Sequence, residues 1–316
     1  MSRTLTVALA LALFSCSGTS SGSDGGAPPR SWLAGSGGTL ASSADGTLFH
    51  TRAQVTRADL YALVCVGERD GWAAGASGTL LRTEDGGASW AAAPTGVTTA
   101  LRAVAFGDAA HGLAVGDGGV ILRSTDGGAS WRPIAAPTHV TLRAVAFSGA
   151  RGFAWAVGDG GAILRSTDGG ASFVAALGAP PINLRAVRFA EDGLRGYVVG
   201  DAGAVLRSTD GGASWSLART APRALDGLSV TPDGTRIVAV GARGLVWRST
   251  DSGSTFAAGD GATLHDLAAI GFSDDASAIG WAVGAQGTLL RTDDAGAHFH
   301  ALAAPTTADL TAIEDF

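Results

Sequence analysis

Lysine is absent from the chain, and all 22 basic residues are arginine. That uniformity reads as genome composition and excludes no function by itself. The charge balance excludes more. With a formal net charge of −6, the chain lacks the basic footprint that phosphate backbones demand, so nucleic acid is not an expected partner. Glutamate is also scarce: Glu68, Glu84, Glu191 and Glu314 lie in or beside turns or at the C-terminal end. No pair of facing carboxylates of the kind glycosidases use can be read from them. His298 and His300 would share one face of a strand, but no third ligand accompanies them, and no phosphate loop or Cys/His cluster occurs. Neither a metal nor another cofactor is expected, and no catalytic residues are assigned. The Gly-x-Ser-x-Gly string at Gly18–Gly22 lacks the strand and helix that a hydrolase nucleophile needs on either side.

What the chain has in quantity is glycine, 48 residues of it, distributed with a period. Aspartates at positions 45, 85, 126, 168, 210, 251 and 294 are spaced by 40, 41, 42, 42, 41 and 43 residues and mark seven repeats. Glycine stands ten residues before each aspartate and again seven before it, the mark of a tight turn with positive φ or of a close backbone approach. Each repeat holds four short strand-like runs. In the third these are Leu101–Phe106, Leu113–Gly116, Val120–Ser124 and Ser130–Ile134, separated by small polar turns. A period near 42 residues holding four strands is the signature of a propeller blade. The expected fold is therefore all-β, a seven-bladed propeller over residues 31–316.

The run Ser124-Thr-Asp126-Gly-Gly128-Ala-Ser130-Trp131 resembles the Asp-box, or BNR repeat. In six of the seven copies the aspartate, a glycine two places on and an aromatic five places on are present; the first copy has Thr47 and His50 instead, with Phe49 one place short. The aspartates at positions 85, 126, 168, 210, 251 and 294 are assigned a structural role: Asp85, Asp126, Asp168, Asp210, Asp251 and Asp294 each cap the amides of their own turn, and the aromatic fills the layer between blades. The longer unit, Trp155-Ala-Val-Gly-Asp-Gly-Gly followed by Leu-Arg-Ser-Thr-Asp-Gly-Gly, is most similar to photosystem II stability/assembly factor-like proteins. That resemblance implies a seven-bladed scaffold that binds a protein, including the precursor of a membrane protein. Asp-boxes also occur in sialidases and xyloglucanases. A secreted glycan-binding or glycoside hydrolase propeller is therefore the alternative. A sialidase would need three arginines around a carboxylate and a tyrosine nucleophile, but only two tyrosines exist and Tyr197 stands at a repeat position. Xyloglucanases set a cleft between two propellers, and here there is one.

At the N-terminus, Arg3 precedes the apolar run Leu5–Phe14, too short to span a bilayer and typical of a signal-peptide core. Leu13-Phe14-Ser15-Cys16 resembles a lipobox, which would make residues 1–15 a lipoprotein-type signal peptide, Cys16 the lipidated residue, and residues 16–30 a Ser/Gly/Pro tether. The expected location is the bacterial cell envelope, with the membrane engaged only through the lipid. The first repeat lacks an innermost strand, and Leu310–Phe316 has that pattern without a blade to follow, so the C-terminal strand is expected to close the ring as a monomer. Cys65 falls where other innermost strands have phenylalanine and reads as a buried small residue.

Two arginine patterns are candidates for binding. Arg82, Arg123, Arg165, Arg207, Arg248 and Arg291 precede their aspartates by three and read as ties to the neighbouring blade. Arg102, Arg143 and Arg185 are second in the innermost strands of blades three to five, the same blades whose second turn carries Asp117, Asp159 and Asp201. In blade six the signs invert, with Asp226 on the strand and Arg243 in the turn. Ion pairs rimming one mouth of the channel are expected, and with Arg188 on the same face they form the candidate partner-binding site.

Overall fold

The computed structural model describes residues 31–67, 69–148, 152–273 and 278–315. Seven four-stranded antiparallel sheets form the ring. Blade three is typical: Leu101–Phe106 innermost, then Gly112–Gly116, Ile121–Ser124 and, outermost, Arg132–Ile134. Each innermost strand packs against those of the two adjacent blades, and the succession returns to its start through Leu310–Asp315. That strand pairs antiparallel with Ser31–Gly35, with Leu33 opposite Ile313. Blade one thus takes three strands from the beginning of the fold and one from its end. Among the described residues no helix is long and apolar enough to cross a membrane.

The second strand of each blade is buried along nearly its whole length because both of its faces meet a neighbour. Alternate residues then serve opposite junctions: Trp155 and Val157 pack between blades four and five, while Ala154 and Ala156 pack between three and four. Period-two alternation therefore separates two apolar interfaces rather than apolar from polar, which explains the near-continuous hydrophobic runs. Among the described residues, hydrophobic clusters occupy all seven blade junctions. Seven of the eight tryptophans are buried in them, and Trp247 is half-buried, stacked on Phe256.

The two glycines of each turn have separate causes. Gly116 is extended, at φ −169°, and a Cβ there would fall on the Ala100 carbonyl oxygen. Gly119 has φ +74° and a Cβ there would fall on the Thr138 carbonyl oxygen, so both backbone sign and space demand glycine.

Cys65 is corrected by the structure. It is only half-buried, on the innermost strand at the edge of the blade, where it packs beside the cluster between blades one and two rather than within it. Cys16 and the other residues before Ser31 lie outside the described residues, as does Glu68.

Candidate functional site

The Asp-box turns sit at one end of the ring, between the third and fourth strands. In blade three, Asp126 Oδ1 accepts from Ser124 Oγ at 2.8 Å and from the Ser130 amide at 2.9 Å, and Oδ2 accepts from Ser130 Oγ. Ser124 Oγ in turn accepts from the Gly128 amide at 2.8 Å. The Ser130 hydroxyl and amide, then Ser124, hold the Asp126 carboxyl down at about 2. Blade one makes a shorter version: Asp45 Oδ1 accepts from the amides of Thr47 (2.8 Å) and Leu48 (3.2 Å), and Phe49 still reaches the core. All of these bonds are internal to the turns, so the carboxylates serve structure.

Three of the six arginines three places before the aspartates, Arg123, Arg165 and Arg248, tie blades together, whereas the buried Nε of Arg207 makes no such bond. Arg123 Nε donates to the Gly169 carbonyl at 3.0 Å, Arg165 Nε to Gly211 at 2.7 Å and Arg248 Nε to Ala295 at 2.9 Å, each on the next blade's Asp-box turn. Aromatic donors on the second strand reach the same carbonyl position, as with Trp155 to Gly211 (3.1 Å), Tyr197 to Ser252 (3.0 Å) and Trp281 to Gly46 (2.6 Å). Blades two and seven depart from this: Arg82 pairs with Asp70 (3.2 Å) and Glu84 (2.8 Å), and Arg291 with Asp293 (2.9 Å). A cavity of about 500 Å³ lies at the junction of blades two and three, lined by Arg69, Arg82, Glu84, Asp85 and Ser89 among others.

The opposite end of the ring carries the other arginine set. Arg102 Nε and Nη2 reach Asp117 at 2.9 and 3.0 Å; Arg143 makes the same fork to Asp159 at 2.5 and 3.1 Å. Arg185 Nε bonds Asp201 at 2.7 Å. The Arg102 bond lowers the Asp117 pKa against burial, and the Asp117 bond raises that of Arg102. These side chains are about one-third exposed. Chain geometry explains the match: the start of the innermost strand and the turn between second and third strands share one end of a blade.

Three features depart from the sequence reading. Asp226 does not pair with Arg243 of its own blade; it accepts from Arg185 Nη1 of blade five at 2.6 Å, while the Arg243 amide binds Asp266 at 2.7 Å. Tyr61, with no charge to offer, packs under Arg102, its ring centroid 4.6 Å from the guanidinium carbon, and so extends the arc into blade two. Asn183 braces the arc by donating to Asp201 at 2.9 Å and accepting from the Gly160 amide at 3.1 Å. Residue spacing could have suggested Asn183, which precedes the strand by one; the cross-blade bond to Asp226 required the ring.

Arg188 is not on this rim. It is three residues further along the strand than Arg185, ~10 Å at the usual strand rise. Its side chain is exposed, yet burial drives its pKa down, and Glu314 of blade one acts against that shift. Blades one and five are not neighbours, so Glu314 acts on Arg188 from a non-adjacent blade of the ring.

Residues 84–179 match the family model described as photosynthesis system II assembly factor YCF48. No curated protein matches the chain significantly in sequence. Among solved structures, the chain is similar to YCF48 bound to a D1 peptide, with 22% identity over 84% of this chain and 90% of that one and a TM-score of 0.68. YCF48 from Cyanidioschyzon merolae shares 20% identity over 79% of this chain and 87% of that one, at a TM-score of 0.63. An ancestral GH74 enzyme also scores 0.63 at 16% identity, over 82% of this chain but only 37% of the enzyme. At such identities these likenesses establish the fold. The chain is a seven-bladed BNR-repeat propeller similar to the photosystem II assembly factors.

Proposed function

We propose that the protein is a non-catalytic scaffold that holds a segment of a protein partner on the arginine-bearing end of its ring, in the manner of an assembly factor. The observation that carries this reading is the arc Tyr61–Arg102–Asp117–Arg143–Asp159–Arg185–Asp201–Asp226 around the channel mouth. Each guanidinium is fixed by a carboxylate while donors remain for a ligand, so binding needs little further side-chain ordering. Three arginines against four aspartates make the arc polar rather than cationic, suited to backbone and polar groups of a peptide. Four of its charged residues, Arg102, Asp117, Arg143 and Asp159, fall inside the segment that matches the assembly-factor family. The similar structure of YCF48 holds a D1 peptide.

The glycan hydrolase alternative has the GH74 likeness behind it, but the match covers a minor part of that enzyme. Among the described residues the large exposed apolar side chains are Leu and Val, without an aromatic platform for sugar rings. We further propose export and lipid anchoring at Cys16, on the strength of the Leu5–Phe14 run and the Ser/Gly/Pro tether. Cys16→Ser should then abolish labelling by radioactive palmitate.

The test of partner binding is a pull-down from native membranes with mass spectrometry. One membrane complex should co-purify, and Arg102→Ala with Arg143→Ala should remove it while moving the melting temperature by only a few degrees, since exposed pairs contribute about 0–1 kcal/mol each. Retention of the complex by the double variant would overturn the assignment of this face.

A further inference from the structure

At the rim end of blade six two arginines stand free. The innermost and second strands of that blade pair with Leu225 opposite Gly241, and one residue further out the Ala242 amide still donates to the Ala224 carbonyl, at 3.1 Å. That bond brings together the next residue on each side, Arg223 and Arg243. Both side chains are exposed, and among the described residues neither guanidinium makes an ion pair or a hydrogen bond. Arg102, Arg143 and Arg185 at the same end are each neutralised by an aspartate. Asp266 of blade seven touches the turn that carries Arg243, but its Oδ1 accepts from the Arg243 amide at 2.7 Å, and it forms no ion pair with the side chain.

The placement is particular to blade six. Gly37, Ser77, Gly118, Gly160, Ala202 and Gln286 occupy the middle of the corresponding turns, so blade six alone puts a charge there. On the other side of the turn, the Thr263 carbonyl lies where a Cβ on Gly244 would stand, which seats Leu264 beside the same turn. Leu264 is 78% exposed, the most exposed large apolar side chain among the described residues. In a chain of net charge −6, two adjacent unpaired guanidiniums make a local positive field that draws carboxylates, and the bare leucine next to them offers an apolar contact. The planar fork of each guanidinium matches a carboxylate.

We propose that this corner of blade six docks an acidic segment of the protein partner, with carboxylates on Arg223 and Arg243 and a neighbouring apolar side chain on Leu264. The inference rests on the assignment of this end of the ring to the partner. It makes Arg223 and Arg243 the residues that read the partner's charge, while the ion-paired arc supplies polar contacts. Because both guanidiniums are exposed, the contact is weakened by salt.

The experiment uses the full-length protein and fluorescence anisotropy with a dye-labelled peptide of repeated Glu-Glu-Leu triplets, beside its Gln-Gln-Leu counterpart. The acidic peptide should bind more tightly at low salt, and Arg223→Gln with Arg243→Gln should weaken it roughly tenfold, the combined effect of two exposed charge contacts. The melting temperature should not move, since neither side chain is bonded and Gln286 already fills the place of Arg243 in blade seven. The proposal is overturned where the acidic peptide binds no better than the glutamine one, where the double variant binds it unchanged, or where vesicles of phosphatidylglycerol alone lose binding in the variant. The native-membrane pull-down separates the two readings. A complex lost from Arg102→Ala with Arg143→Ala but kept by the blade-six variant overturns this proposal and leaves the scaffold standing. Charge-dependent peptide binding with no complex recovered keeps the blade-six site and overturns the membrane-complex reading.

Discussion

Asp226 of blade six is bonded to Arg185 of blade five at 2.6 Å, so that one guanidinium serves carboxylates from two blades. Burial raises the pKa of Asp226 and Arg185 opposes the rise without cancelling it.

The pH dependence follows from two groups of carboxyls with opposite shifts. For Asp226 the folded pKa lies above the unfolded one, so the native state binds more protons, and its contribution, present at low pH, is lost as pH rises through the folded value. Asp45, Asp126, Asp168, Asp210, Asp251 and Asp294 are instead held at about 2 against an ordinary 3.8. Their contribution is present above 3.8 and lost as pH falls toward 2. The melting temperature should therefore drop steeply in that acid window. In a pH series, Asp226→Asn should gain relative to the parent as pH rises from 4 to 7, an approximate interval bracketing the raised carboxyl.

Ser124 is buried and its hydroxyl serves both Asp126 and the Gly128 amide. Ser124→Ala leaves that amide without its partner and should cost about 1–3 kcal/mol in denaturant unfolding. Ser124→Thr should be nearly neutral, because Thr83 and Thr292 fill the same role in blades two and seven.

Gly118 and Gly119 are adjacent and both have positive φ, +70° and +74°. Nothing lies near a Cβ at Gly118, and Ser77, Ala202, Arg243 and Gln286 occupy the equivalent place with φ of 55–56°. Gly118→Ala should cost only ~1 kcal/mol. Gly119→Ala drives its Cβ into the Thr138 carbonyl and should cost several times more; thermal denaturation of the two variants side by side checks the contrast.

Deleting residues 310–316 removes the innermost strand of blade one and leaves Ser31–Gly35 as an unpaired edge. The shortened chain should aggregate and lose its single cooperative transition, read by size-exclusion chromatography and calorimetry. A soluble monomer with a sharp transition would contradict closure by that strand.

The sequence by itself determined the blade count, the strand order within a blade and the pairing of Arg102 with Asp117, because these follow from a period and from short-range turn geometry. The aspartate of each box and the glycines ten and seven places before it lie within one turn of chain or one hairpin, so local rules suffice. Only the tertiary structure decided matters between blades. It gave Asp226 to Arg185 rather than to Arg243, seated Tyr61 under Arg102, and brought Glu314 within electrostatic reach of Arg188. These residues are separated by 41, 41 and 126 positions in the chain (226 − 185, 102 − 61 and 314 − 188), and no local pattern encodes such distances. Closing the ring brings them together, because each innermost strand then meets its neighbours on both sides and all seven share one lumen.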